Sequence, residues 1–270
     1  MQSEVIALGV MEFSFLTHFS SLGLAICLFF LMLVSYWVGS TVWLRFRGFV
    51  ADGFGPVEGS LLGLLALILA FTFSMAAARY DARRAILVEE ANHIGTAILR
   101  ADLYDALERA AFRADFKEYV EVRIGFHYAG FDEEKVRANV QQSSNISSRI
   151  WQRAARLGQN PANLISSNQM VPALNNMIDV VTTRNALRHS TVPDSIIWVL
   201  FILCAVSSFI IGISRKESGG SFAAVNVIFA LMITSCVYLI VDLDRPLAGL
   251  ISNEGVNHNL VDLRGLFDTP

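Results

Sequence analysis

Charged residues are scarce in this sequence. Only 17% of the 270 residues are Asp, Glu, Lys or Arg, and 54% are hydrophobic, whereas about a quarter of the residues of a soluble domain are charged. This low charge excludes one large soluble domain and indicates a membrane protein. The net charge is −3 and no stretch forms a basic stripe, so a nucleic-acid partner is excluded as well.

Cysteine is also scarce, and none lies in the polar part of the chain. The three cysteines, Cys27, Cys204 and Cys236, all fall within apolar runs, which excludes a disulfide framework or a C-x-x-C redox motif outside them. The sequence has no G-x-S-x-G, H-E-x-x-H, P-loop or G-x-G-x-x-G motif. We therefore predict no enzyme activity, no catalytic residues and no cofactor.

Four runs contain no Asp, Glu, Lys, Arg or His: 20–44, 59–78, 195–214 and 221–241. Each is long enough for a helix to cross the hydrocarbon core of a bilayer, which takes about 20 residues. The predicted fold is an all-α integral membrane protein with four transmembrane helices in two hairpins. The predicted regions are hairpin one (1–79), an inserted soluble helical domain (80–194), hairpin two (195–245) and a polar C-terminal tail (246–270).

The second run begins at a clear helix start. Pro56 suits the first helical position and Glu58 complements the positive helix end. No proline follows before Pro161, so we predict that this helix continues out of the membrane and past Arg100. Small residues recur on one face, where they indicate close helix packing or, alternatively, a pore-lining face: Gly59, Gly63, Ala66, Ala70, Ser74 and Ala77.

Two segments carry a family resemblance. The first is "GFGPVEGSLLGLLALILAFTFSMAAARYDARRAILVEEANHIGTAILRADLY" (53–104), and the second is "LDRPLAG" (243–249). Both resemble the bacterial bestrophin-like family of four-span membrane proteins of unassigned function. The family's pattern E-A-N-x-I-G-T followed by arginine is matched from Glu90 to Thr96 and at Arg100. His93 stands where a smaller residue is expected, and Leu247 stands where the family usually has phenylalanine.

The resemblance implies a likeness to bestrophins, which are oligomeric anion channels with four spans per subunit. The acidic cluster with which animal bestrophins hold calcium is not visible in this sequence. The resemblance covers the membrane regions and the helix that leaves the second span, while the middle region matches only in its helical character.

The stretch "VEEANHIGTAILRAD" (88–102) places polar residues within an otherwise apolar helix. Its predicted polar seam comprises Glu89, Glu90, Asn92, Thr96 and Arg100. A structural network that fixes helix register is one interpretation, and the lining of a pore or vestibule is the other. Glu90 and His93 match the Glu-x-x-His pattern of di-iron bundles, but such sites need two copies. We therefore predict no metal site.

Transport by ion coupling usually requires an ionisable residue at membrane depth, and the four runs have none. A passive pore needs only a narrow apolar constriction and polar rims. A possible neck is formed by four consecutive residues of the second run: Phe71, Thr72, Phe73 and Ser74.

Charged residues mark the membrane ends of spans two and four. We expect Asp242 or Asp244, beside Arg245, to form an ion pair with one of the arginines that follow span two: Arg79, Arg83 or Arg84. Interfacial anchoring alone is the alternative.

The sequence thus leaves two functional hypotheses. The first is a homo-oligomeric passive ion channel in the lipid bilayer, with span two near the axis. The second is a non-conducting membrane scaffold or envelope sensor whose helical domain binds a protein partner. We expect a multipass protein of the bacterial inner membrane. The short loops are dense in basic residues, which favours an extracytoplasmic inserted domain.

Overall fold

A computed structural model describes residues 20–45, 55–128, 133–214, 221–245 and 254–268. In these ranges the regular structure is helical. The described ranges contain eight α-helices: α1 (Ser21–Arg45), α2 (Gly55–Ala101), α3 (Ala106–Tyr128), α4 (Glu133–Leu157), α5 (Leu164–His189), α6 (Asp194–Ile213), α7 (Ser221–Asp244) and α8 (Glu254–Asp262). Short 3₁₀ helices form at Pro161–Asn163 and Leu263–Phe267.

Among the described residues, four helices are long and apolar enough to cross a membrane, which agrees with the four predicted spans. The candidate segments are Ser21–Val42, Pro56–Ala101, Asp194–Ile213 and Ala224–Asp244, with mean hydropathies of 2.2 to 2.8. At about 1.5 Å per residue, the 47-residue α2 is roughly twice as long as a bilayer core is thick. The membrane segment of α2 therefore continues as one helix, as predicted. The arrangement of the spans in two hairpins stays a prediction.

The chain divides into two compact units, and the boundary falls within α2. The first unit comprises residues 1–78 and 191–250, and the second comprises 79–190 and 251–270. In the first unit, α1 packs on α6 and α7. Leu65 and Ala76 of α2 belong to the same apolar core, together with Leu28, Met32 and Cys204.

Two glycines allow a close approach of α1 and α6 in the first unit. A Cβ atom on Gly39 of α1 would lie 2.2 Å from the carbonyl oxygen of Phe209, and one on Gly212 of α6 would lie 2.4 Å from that of Tyr36. Distances this short exclude any side chain, so both positions require glycine for α1 and α6 to cross at this separation.

The second unit is a helical bundle with aromatic residues at its centre. Phe112, Phe116 and Tyr119 of α3 are almost fully buried and pack with Ile94 and Ile98 of α2. Between α3 and α4, Asp115 accepts hydrogen bonds from Arg149 at 2.8 Å and from Arg153 at 3.0 Å.

Residues 254–268 differ in structure from the predicted polar C-terminal tail. Residues 254–268 form α8 and a 3₁₀ helix, and Leu260 and Leu263 are buried in the core of the second unit. The physical reason is their spacing of three residues, which places both on one side of the segment. The C-terminal segment is therefore part of the helical domain.

Candidate functional site: the long helix and its buried charges

The second half of α2 has two distinct sides. Its inward side is mostly apolar, because Ala91, Ile94, Ala97 and Ile98 are all buried in the bundle core. Its buried charged residues are Arg83 and Glu90. Gly95 also allows a close approach, since a Cβ atom there would lie 3.2 Å from Cδ2 of Leu263.

The predicted polar seam is divided between these sides. Glu90 is completely buried, whereas Glu89, Asn92 and Thr96 are exposed and Arg100 is half-buried. Glu89 lies 3.4 Å from His93 across one helical turn. The seam is therefore not one stripe: Glu90 belongs to a network within the chain, and the other residues lie on a surface of the chain.

Two arginines from separate helices hold Glu90. Arg123 of α3 donates from Nε to Oε1 at 2.5 Å, and Arg184 of α5 donates from Nη1 to Oε2 at 2.5 Å. Arg123 is completely buried and Arg184 is 9% exposed. Because both carboxylate oxygens are engaged by arginine and His93 contacts Glu89, this Glu-x-x-His pair does not present a metal site.

The ring of Phe126 lies among the guanidinium groups of this cluster. The Cζ atoms of Arg123 and Arg184 each lie 4.8 Å from its centroid, and that of Arg188 lies at 5.4 Å. Burial lowers the pKa of Arg184, against the opposing effect of Glu90. Burial also raises the pKa of the nearby Tyr119 to about 12, so this hydroxyl stays neutral over the physiological range.

In the membrane segment of α2, Leu65, Thr72 and Ala76 face the core, and Thr72 donates to the carbonyl oxygen of Ile68 at 2.7 Å. The predicted neck residues therefore do not lie together. Phe71 is 64% exposed and Phe73 is 46% exposed, but two positions along a helix are separated by about 200°, so the two rings point to nearly opposite sides.

The small residues of α2 lie away from the core of the first unit. A Cβ atom on Gly59 or on Gly63 would have no neighbour within 4 Å. Ala66, Ala70 and Ser74 are exposed and Ala77 is half-buried. Close packing within the described part of the chain is made instead at Gly39 and Gly212, which the sequence analysis did not single out. Contact of the α2 stripe with another subunit stays a prediction.

The residues of the predicted interfacial ion pairs fall in the two separate units. In the second unit, Arg83 is buried and donates to the carbonyl oxygen of Ser190 at 3.5 Å, and Arg84 lies over the ring of Tyr80 at 5.8 Å. In the first unit, Asp242 is buried and Asp244 accepts from the backbone N–H of Val192 at 2.8 Å. Pairing of either aspartate with Arg79, Arg83 or Arg84 stays a prediction.

Arginines also bind the C-terminal segment to the bundle. Arg113 makes two hydrogen bonds of 2.9 Å to Asp102 and donates a third to the carbonyl oxygen of Leu266. Arg264 makes two hydrogen bonds to Glu121, at 2.7 and 2.6 Å.

We expect acid to loosen the C-terminal segment. The hydrogen bonds from Arg264 hold the pKa of Glu121 below its usual value of 4.5. Stabilisation by this exposed pair, about 0.2–1 kcal/mol, is therefore complete above pH of about 4.5 and is lost as the pH falls through the lowered pKa. Hydrogen exchange of α8, corrected for the intrinsic pH dependence, should rise in this range. In Arg264→Ala the exchange should already be raised at neutral pH, and an unchanged α8 in this variant would contradict the prediction.

The fold and the long helix define a class: an all-helical membrane protein with four apolar helices, one of which extends far beyond a bilayer's thickness. A family model described as Bestrophin-like domain matches residues 26–252. The chain belongs to the bestrophin-like family.

Solved structures share this fold. A bacterial bestrophin homolog from Klebsiella pneumoniae, in the form of a point mutant, superposes with a TM-score of 0.65 at 16% identity, covering 89% of this chain and 99% of that one. A second mutant of it gives 0.65 at 17% identity, with 92% and 99% covered. The same homolog phased with zinc gives 0.63 at 15%, with 89% and 98% covered. No curated protein matches this sequence.

Proposed function

We propose that this chain forms a homo-oligomeric passive ion channel in which α2 lies next to the central axis. One observation carries the proposal: α2 has a face opposite its core contacts that no other described element covers. In the first unit this face contains Gly63, Ala70 and Ser74, and in the second unit it contains Asn92 and Thr96. Membership of the bestrophin-like family supports the same function.

The chemistry of this face suits passive conduction. The membrane segment offers small and apolar residues without an ionisable group, and the extension offers the amide of Asn92 and the hydroxyl of Thr96, with Glu89 at the edge. A narrow apolar segment followed by a polar vestibule allows ions to pass without a strong binding site. The exposed residues Glu89, Asn92 and Thr96 then line the vestibule, while Glu90 anchors the opposite side of the helix in the bundle.

The neck is assigned to Phe71 rather than Phe73. The side of α2 that faces the core is marked by Leu65, Thr72 and Ala76. Around the helix axis, Phe71 lies about 60° from the direction opposite this side, and Phe73 lies about 100° from it. Phe71 is also the more exposed of the two. A ring of subunits would therefore bring Phe71 towards the axis and direct Phe73 towards a neighbouring subunit or lipid.

Phe71→Ala is expected to widen the constriction and to raise single-channel conductance several-fold, because an apolar neck resists the entry of hydrated ions. The measurement is planar-bilayer recording of the purified protein. Phe73→Ala is the matched control and should leave conductance near that of the wild type. The opposite ranking of the two variants would overturn the assignment of the neck.

The channel proposal itself is tested by oligomer mass in detergent and by ion flux into liposomes. We expect a closed ring of several subunits and passive flux of small ions driven by their gradient alone. A folded protein that is monomeric, or that is impermeable to all small ions tested, would overturn it.

A scaffold or envelope sensor is the second candidate, and exposed apolar residues of the second unit favour it. Leu107 and Ile165 are 79% and 80% exposed, and Leu103 lies beside Ser166, which donates to its carbonyl oxygen at 2.7 Å. Such a patch outside the spans suits contact with a protein. In this case the purified protein should retain a protein partner and should conduct no ions. Loss of that partner in the double variant Leu107→Ser and Ile165→Ser would favour this function over the channel.

We place the protein in the bacterial inner membrane, with the second unit on the extracytoplasmic side. The density of arginine and lysine in the short loops supports this orientation. Labelling of an Asn145→Cys variant by a membrane-impermeant thiol reagent on spheroplasts tests it, and labelling only after lysis would reverse the orientation.

A further inference from the structure

The cluster around Glu90 contains more positive than negative charge. Arg123 and Arg184 both direct hydrogen bonds to this one carboxylate, so two buried guanidinium groups share a single counter-charge. An unbalanced charge is costly away from water, so the cluster has a physical reason to attract an anion.

Arg123 also has hydrogen-bond donors to spare. Its Nε group is used by Glu90, but Nη1 and Nη2 are buried and have no acceptor among the described residues. Guanidinium groups in protein interiors normally engage these donors. The face of Phe126 offers a cation–π contact, which attracts the charge but supplies no directed acceptor for the in-plane N–H groups.

Arg184 connects the cluster with solvent. It is 9% exposed, whereas Arg123 and Glu90 are completely buried. The pKa of Arg184 is lowered by burial, which agrees with incomplete neutralisation of its charge by Glu90.

We propose that the second unit binds a small inorganic anion of halide type between Arg123 and Arg184, next to Phe126. The anion accepts hydrogen bonds from Arg123 Nη1 and Nη2 and balances the charge that Glu90 leaves uncompensated. Its site lies on the opposite side of α2 from Asn92 and Thr96, so it is distinct from the proposed ion path. Its occupancy does not depend on whether the protein conducts.

The direct test uses the wild-type full-length protein crystallised in sodium bromide. We expect an anomalous difference peak within hydrogen-bond distance of Arg123 Nη1 or Nη2. The bromide concentration should be one that saturates the effect of halide on thermal stability. Absence of the peak under this condition, or ordered water in its place, would overturn the proposal.

The second test measures thermal stability at constant ionic strength while chloride or bromide replaces gluconate. The wild type should be stabilised with a saturable dependence on halide, as mass action requires. Arg184→Leu leaves one arginine for one carboxylate and should lose this dependence. Glu90→Gln adds net positive charge and should bind halide about tenfold more tightly, even where its stability without halide is reduced.

Arg264→Leu is the matched control, because it removes an exposed arginine from the same unit. Its response to halide should equal that of the wild type. Equal responses in all four proteins would show a general salt effect and would overturn the proposed site. Because the readout is stability, failure of this test is distinguishable from failure of the channel proposal.

Discussion

Glu90→Ala is expected to destabilise the helical unit by about 3–5 kcal/mol, because removal of one partner leaves buried charge uncompensated. Arg123 and Arg184 are 0% and 9% exposed, and the hydrogen bonds that both make to Glu90 would be lost together. This is the largest effect that we expect from a single substitution in this unit.

The measurement is hydrogen exchange of α3 and α5 in the full-length protein, because a chain with two units need not unfold in one transition. Exchange of both helices should rise at least a hundredfold in Glu90→Ala, which corresponds to about 3 kcal/mol. Glu89→Ala is the control: its side chain is 57% exposed, so exchange should change by less than about threefold. Equal effects of the two substitutions would contradict the buried ion pair.

Periodicity predicted the helices well but could not identify the partners of Glu90. The apolar repeat from Ala91 to Ala101 correctly predicts a buried face. Arg123 and Arg184, however, are 33 and 94 residues from Glu90 along the chain, and no local pattern links residues at such separations. One signal was available: Arg123 follows Tyr119 by four residues and therefore shares its helix face, and an arginine among core residues needs a buried counter-charge.

The sequence of α2 does not determine which of its polar residues face the core. Glu89 and Glu90 are adjacent in sequence but differ by about 100° around the axis, which separates a surface position from a core position. Both were assigned to one seam as polar residues of the same otherwise apolar stretch. Burial distinguishes them, and burial depends on where α3 and α5 pack, which the sequence of α2 does not contain.

The sequence likewise identifies small residues on α2 but not the helix surface that would contact them. The stripe from Gly59 to Ala77 is regular and easily recognised, yet Gly59 and Gly63 have open space around them. Gly39 and Gly212 are isolated in sequence and form no repeat, yet they allow α1 and α6 to cross in close contact. A single sequence indicates that a helix permits close approach, but the approach itself depends on a second surface.

Gly212→Val is expected to be the most disruptive change in the membrane unit. The new Cβ would lie 2.4 Å from the carbonyl oxygen of Tyr36 and 3.0 Å from the amide nitrogen of Ser40. These are backbone atoms of α1, so relief requires the whole of α1 to move away from α6. Overpacking of this kind costs about 3 kcal/mol. Gly39→Val should act similarly, because its Cβ would meet the backbone of Phe209 at 2.2 Å.

The measurement is the midpoint of unfolding in mixed micelles titrated with SDS, followed by far-ultraviolet circular dichroism. The midpoint should fall further in Gly212→Val than in Gly212→Ala, since a larger side chain forces α1 and α6 further apart. Gly63→Ala is the matched control: it lies in the same unit with no neighbour within 4 Å, and alanine favours a helix by roughly 0.5–1 kcal/mol. Its midpoint should therefore stay level or rise. A contact between two backbones cannot be relieved by a rotamer change. If Gly212→Val therefore unfolds at the same SDS fraction as Gly63→Ala, α1 and α6 do not cross at Gly39 and Gly212.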